Sequence, residues 1–188
     1  MINKPYDLVI VACSSTKRAT ASEAADLYTS QLFKASRQWA EANGKGWAIA
    51  SALHGVISPR RIVEPYDREL RTKQHRSRYR VLCASYLREW IVIAQRRRGL
   101  AKVHTTKAGN KIYNVDRTKG HKLRVAILAG EKYASELRRI LAYSRIEIIE
   151  PMAGMQIGER LAWLRDERVK REQTPQVAAP AEQLQLFS

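Results

Sequence analysis

Cysteine is nearly absent, with only Cys13 and Cys83 in a chain of 188 residues. Two thiols cannot build a disulfide framework or complete a zinc site. Histidine is also sparse. The four residues, at 54, 75, 104 and 121, have no cysteine or carboxylate partners at ligand spacing. No metal and no cofactor is expected. Long apolar runs are missing too. The run from Leu8 to Cys13 is far too short for a signal peptide or a spanning helix. With no lipidation motif beside it, no membrane partner is expected, and a cytoplasmic location is. The last shortage is of negative charge: 18 Asp and Glu face 34 Lys and Arg, a net +16. A globule this basic repels itself unless it meets an anionic partner. Nucleic acid is the commonest one.

The remaining composition is ordinary. Hydrophobic residues make up 45% and charged residues 28%, which suits a soluble domain with a real core. The charge is localised. From Arg60 to Arg124 there are 19 Lys or Arg and 5 Asp or Glu, so this third of the chain carries +14 of the total. Counterion release on a phosphate backbone needs charge gathered in this way. Arg60 and Arg61, Arg76, Arg78 and Arg80, and Arg96, Arg97 and Arg98 are therefore candidate phosphate contacts. A solvated helix face beside a basic loop is the plainer reading of any one of them.

Strand and helix patterns alternate. DLVIVAC (7–13) reads as a buried strand and 14–26 as a loop. Tyr28 to Asn43 reads as a helix with Leu32, Phe33, Ser36 and Trp39 inside. WAIASALHG (47–55) reads as a second strand, and 56–69 as a loop holding Pro59 and Pro65. His75 to Arg98 reads as a long helix packed through Tyr79, Leu82, Cys83, Tyr86, Trp90 and Ile93. KVHTT and KIYNV, within 99–121, read as a basic hairpin. A strand (123–130), a helix (Lys132 to Ser144), a strand (145–151) and a helix (Ile157 to Glu172) follow. The expected fold is α/β: a three-layer sandwich with a mostly parallel central sheet. It spans residues 1–172, with a flexible tail at 173–188.

Ligands of such sheets bind outside the carboxyl ends of the strands. Four segments reach that edge. CSSTK places Cys13, Ser14, Ser15 and Lys17 after the first strand. Free backbone N–H groups and the Lys17 charge suit an anion, although the glycines of a P-loop are missing. Cys13 is either a nucleophile or a small buried residue. Ser51, His54 and Gly55 end the second strand, and His54 either faces the pocket or is structural. Tyr66 and Asp67 sit in the proline-constrained EPYD loop. Tyr66 is a candidate for stacking on a base, and Asp67 either activates water or caps a helix. Gly130 and Tyr133, in LAGEKY, open the helix after the third strand. Tyr28 and Gly158 complete the candidate pocket. Lys17, His54 and Asp67 are its catalytic candidates.

The blocks VACSSTK, LYTSQLFKAS, SALHGVISP, EPYD, LAGEKY and MAGMQIGERLAWL cover about residues 7–165. They resemble a widespread bacterial and phage family of unassigned function, with CSxxK, SAxHG, PYD, AGxxY and GxxIGxxLxWL patterns. More distantly, they are similar to YaaA-type peroxide-stress proteins, which bind DNA. They are also distantly similar to the Pro-Cys-Ser-x-x-Lys domain of archaeosine synthases. That domain modifies a deazaguanine base in tRNA, and its fold looks like uracil-DNA glycosylase. The resemblance implies a YaaA-like or glycosylase-like fold and a nucleic-acid substrate. The hairpin at 99–121 is an addition to this pattern. Its Lys102, Lys107, Lys111, Lys119 and Lys122 read as a DNA-gripping device.

The tail ends in Gln183-Leu184-Gln185-Leu186-Phe187. A Pro- and Ala-rich tail with large apolar residues at its tip usually docks on something. This string resembles the Q-L-x-L-F motif that bacterial replication and repair proteins use to bind the sliding clamp. The resemblance implies that Gln183 anchors a small subsite and that Leu186 and Phe187 fill an apolar pocket, with Leu184 between. Folding back onto its own domain is the alternative.

Three functional readings follow. The first is an enzyme that processes or modifies a nucleobase or nucleotide in DNA, recruited by its tail. There Lys17 stabilises charge, Asp67 activates water and Tyr66 stacks. The second is a non-catalytic DNA-binding or DNA-protection protein of the peroxide-stress type. The third is an RNA base-modification factor. Deleting Gln183 to Phe187 is expected to abolish binding to a purified bacterial sliding clamp in a pull-down or by surface plasmon resonance. Undiminished binding rejects this reading of the tail.

Overall fold

The structure, a computed structural model, describes residues 5–97, 101–106, 111–115, 122–142 and 146–173. Its centre is β1 (Leu8–Ala12). Leu8, Val9, Ile10 and Val11 are each no more than 1% exposed. A strand apolar on both faces belongs in the middle of a covered sheet. It pairs in parallel with β3 (Trp47–Ser51) on one side and with β8 (Leu123–Leu128) on the other. Beyond β8 lies parallel β9 (Ile146–Ile149). The opposite edge is β4 (Gly55–Ile57), antiparallel to β3. The five-stranded sheet has the order β4-β3-β1-β8-β9.

Successive side chains of a strand point to opposite faces. Leu8, Ile10, Ala48, Ala50, Val125 and Ile127 form one core with α3 (Lys73–Arg97) and α4 (Glu131–Leu141), through Tyr79, Cys83, Leu87 and Leu137. Val9, Val11, Ile49, Ala126 and Leu128 form the other with α2 (Gln31–Asn43) and α5 (Ile157–Gln173), through Phe33, Trp39 and Leu164. The result is the expected α/β arrangement, a mostly parallel sheet flanked by helices. The crossover from β1 goes to β3 on one side, and the later crossovers go to β8 and β9 on the other. The order therefore reverses beside β1, which makes its carboxyl end a topological switch point.

At the amino edge, the buried Asp7 holds β1 to its neighbours. Its Oδ2 accepts from the Arg124 backbone N at 2.8 Å, and its Oδ1 accepts from Lys45 Nζ at 3.1 Å. A buried carboxylate is tolerated when it is paired and hydrogen-bonded in this way.

Several boundaries differ from the sequence expectation. The segment 14–26 is not one loop: it holds β2 (Ser22–Glu23) and α1 (Ala24–Leu27). The segment 56–69 holds the rest of β4 and then β5 (Ile62–Val63), which pairs with β2. Helix α2 starts at Gln31 rather than Tyr28, because Ser30 caps it by accepting from Phe33 N at 3.2 Å. Tyr28 stays extended and bridges Lys17. The inner stripe of α3 runs through Tyr79, Cys83, Leu87 and Ile91, with Tyr86 and Trp90 beside it. Ile93 is 40% exposed. A four-residue step keeps 79, 83, 87 and 91 on one side of the helix, while Ile93 falls outside that row. The basic hairpin is present as β6 (Ala101–Thr105) and antiparallel β7 (Lys111–Val115).

The expected strand 47–55 is two strands. It stops at Ser51, turns through 52–54 and returns as β4. Gly55 makes this possible in two ways. Its φ is +73°, in the left-handed region. A Cβ at this position would lie 2.6 Å from Leu82 Cβ and 2.9 Å from Cys83 N, because α3 crosses directly against it. Gly55→Ala is expected to cost roughly 2–4 kcal/mol, from backbone strain plus overpacking. Urea unfolding of the purified variant measures this, and a loss under about 0.5 kcal/mol contradicts the packing described.

Candidate functional site

The parallel pairing of β3, β1 and β8 delivers three loop starts to one edge. Cys13 to Lys17 leaves β1, Ala52 to His54 leaves β3, and Ala129 to Tyr133 leaves β8 for α4. A fourth segment, the loop after β5, brings Tyr66 back over this edge.

Tyr66 is the meeting point. Its Oη lies 2.7 Å from Ser51 Oγ and 2.9 Å from Tyr28 Oη. Ser51 Oγ also accepts from His54 N at 3.1 Å, which fixes the turn out of β3. The Lys17 ammonium sits 4.5 Å from the Tyr66 ring centroid and 5.8 Å from that of Tyr28. The His54 ring meets Tyr66 edge-on at 5.4 Å. Lys17 is held in place by its chain. The segment folds back on itself through Arg18 N donating to Leu27 O and Thr29 N donating to Thr16 O. Lys17 Nζ also donates to Ser15 O, and Ser14 Oγ donates to Thr16 O. Ser14 is half-buried and Ser15 exposed.

A second contact joins the loop starts after β1 and β8. Cys13 Sγ is 3.6 Å from Tyr133 Oη. The Tyr133 ring packs edge-on against Tyr79 at 5.7 Å. Cys13 is a free, half-buried thiol.

Burial dominates the acid–base behaviour of this cluster. It pushes Tyr28 up to about 12, with the Cys13 charge adding to the effect. Burial also raises Tyr66 and Tyr133 well above the phenol range, again with help from Cys13. These hydroxyls therefore stay protonated at neutral pH. They can donate and accept hydrogen bonds, but they do not supply a phenolate base. His54 is pushed the other way, first by burial and then by the Arg61 charge, so its ring is held neutral.

A protein-family model matches residues 8–166, and its description is a family of unknown function, DUF6884. The chain belongs to that family. Neither a curated protein nor a solved structure matches it. The DUF6884 match covers the whole five-stranded sheet and every segment at the edge just described.

Within this DUF6884 domain, most of the pocket residues chosen from sequence do meet. Lys17, Tyr28, Ser51, His54 and Tyr66 are linked by the contacts above, and Cys13 and Tyr133 by a contact of their own. Asp67 is not among those contacts. It is exposed, and its charge acts on Arg71. The carboxylate whose field reaches the cluster is Glu69, which raises Tyr133 and is itself lowered by its hydrogen bond to Arg71. Nothing in the sequence separates two carboxylates of one loop. Gly55 has the packing role given above. Gly130 caps α4, and a Cβ there would lie 3.6 Å from an Nη of Arg160. Arg160 is a cation at this edge that the sequence reading passed over. Its Nε donates to Met155 O, inside the GxxIGxxLxWL block. Gly158 is exposed, with open space around it.

The basic candidates fall into separate groups. Arg60 and Arg61 are exposed, and the Arg61 charge acts on His54. Arg76 and Arg80 turn from α3 toward α4 and reach Glu136. Arg78 is exposed on another side of α3, and Arg96 lies about 30 Å beyond Arg76 along the helix axis. Arg97 ends α3, while Lys102 and Lys111 lie on β6 and β7. Arg98, Lys107, Lys119 and the tail residues Gln183, Leu184, Leu186 and Phe187 lie outside the described residues.

A depressed histidine favours the fold above its unfolded value and withdraws that support as pH falls through the folded one. For His54 that window opens below about 6.5. Arg61→Ala is expected to raise the His54 midpoint in an NMR titration. An unmoved midpoint shows that the Arg61 charge does not reach the ring.

Proposed function

We propose that this chain binds nucleic acid, DNA in the first place, and processes or modifies a nucleobase or nucleotide at the carboxyl edge of its sheet. The convergence on Tyr66 carries the reading. Four chain segments bring one ammonium, one neutral imidazole and a chain of protonated hydroxyls to the switch point. Neutral donors and acceptors of this kind suit the polar edge of a heterocycle. The surplus of +16 suits the phosphates that come with it. A base inside a duplex must be flipped out to reach such an edge, at a cost of a few kcal/mol that backbone contacts offset.

In this reading Lys17 stabilises charge developing on the base. His54, edge-on to Tyr66, serves as a neutral proton acceptor. Tyr66 forms a fixed wall rather than a free stacking platform, since its hydroxyl is engaged and its ring meets Lys17. The likeness to YaaA-type and glycosylase-like proteins points the same way. The clamp-like tail would bring the domain to replicating or repaired DNA.

The exposed position of Asp67 favours a second reading. With the expected water-activating carboxylate outside the hydroxyl chain, the edge would hold a nucleotide without reacting. The protein would then be a non-catalytic DNA-binding factor.

Mass spectrometry of nucleosides from DNA exposed to the protein separates the two. An altered or missing nucleoside is expected with the native chain. Lys17→Ala should lower its yield at least about a hundredfold and leave DNA affinity within about twofold. Unaltered DNA beside intact binding rejects the enzyme and leaves the binding protein.

A further inference from the structure

A second concavity, ringed by charged side chains, lies between α3 and α4. It encloses about 570 Å3 and is lined by Lys73, Arg76, Arg80, Lys132 and Arg139 around Glu136. Glu136 is the feature that needs a cause. Its side chain is only 6% exposed, yet it carries a carboxylate. It sits between two guanidiniums, 3.4 Å from Arg80 Nε and 3.9 Å from Arg76 Nε. Isolated charges are not buried without such compensation. Both arginines approach Glu136 through Nε, and both line the cleft. The buried carboxylate thus draws the two cations to one wall of the cleft by charge.

The charge balance of the cleft is positive. Glu136 offsets one cation, and Glu131, the other acid at its wall, is engaged by Arg138. Lys73 and Arg76 occupy the first turn of α3, and Lys132 the first turn of α4. The partial positive charges of two helix N-termini add to the field. Two arginines gathered at one carboxylate, with lysines beside them, suit the negative oxygens of a phosphate.

The cleft and the Tyr66 site also share a wall. Lys132 lines the cleft, and its neighbour Tyr133 reaches Cys13 in the site. Tyr79, one turn from Arg76, packs on the Tyr133 ring. We infer that the α3–α4 cleft is the phosphate subsite of this domain. It holds a backbone phosphodiester of the strand whose base lies at the carboxyl edge, and this assignment rests on the nucleic-acid reading above. Glu136 is a positioning residue that acts through Arg76 and Arg80.

Removing Arg76 or Arg80 would leave Glu136 buried without full compensation, so those variants would confuse folding with binding. Lys73→Glu combined with Arg139→Gln avoids this. A Lys34→Glu, Arg165→Gln variant makes the same net charge change on the α2–α5 side and serves as the control. Binding of a fluorescein-labelled single-stranded 12-mer is followed by anisotropy across a salt series, with inorganic pyrophosphate as competitor. The cleft variant is expected to lose about tenfold in affinity, and its salt slope to fall by about 1. The control should stay within about twofold, and pyrophosphate should displace the 12-mer from the native chain. Equal losses in the cleft and control variants, or a cleft variant with native affinity and slope, overturn the cleft and leave the nucleic-acid reading standing. A native chain that ignores the 12-mer at low ionic strength overturns that reading and the phosphodiester with it, even if it binds pyrophosphate.

Discussion

The site depends on the position of β1. A strand apolar on both faces can only be central, and a central parallel strand must pair with both neighbours. Val9 to Ala12 therefore lies alongside Trp47 to Ala50, and Leu8 to Val11 alongside Val125 to Leu128. That double register sends the chain out of β1, β3 and β8 at one edge. Lys17, His54 and Tyr133 are far apart in sequence and near each other for this reason alone. The antiparallel β4 then returns the chain so that the loop after β5 can cover the same edge.

Two buried carboxylates show how the fold places charge. Asp7 lies at the amino edge and satisfies a backbone N–H and a lysine. It ties β1 to its neighbours. Glu136 lies between α3 and α4, within ion-pair distance of two arginines that line the cleft. The same physics, burial offset by pairing, closes the sheet in one case and arrays cations in the other. The tyrosine cluster works differently. Its hydroxyls are buried without a formal charge, so burial raises their pKa values and keeps the cluster neutral. The domain thus sets a neutral, hydrogen-bonding edge beside a cationic cleft.

The layered architecture was legible in the sequence because it rests on periodicity. The apolar runs of β1 and β8 and the stripe of α2 need no partner to be recognised. Edge pocket residues such as Cys13, Ser51 and Tyr133 were legible because α/β folds present strand ends together, and Tyr66 because it sits in a proline-constrained loop. Where the reading failed, geometry outside the window decided. Ser51 ends β3 because α3 comes close enough to require Gly55. Tyr28 stays out of α2 because Ser30 caps the helix and Lys17 pairs with Tyr28.

The sequence by itself determined the fold class, the order of the elements and the amount of positive charge, since each depends on composition or on neighbours in the chain. Only the tertiary structure decided which charges act together. Arg76, Arg80, Lys132 and Arg139 form one field, while Arg78 and Arg96 face elsewhere. Glu69 rather than Asp67 acts on Tyr133, and Arg160 joins the edge beside Gly130. The reason is that electrostatic and hydrogen-bond energies fall off over a few ångströms of space. Separation along a chain does not measure that distance until helices and strands have packed.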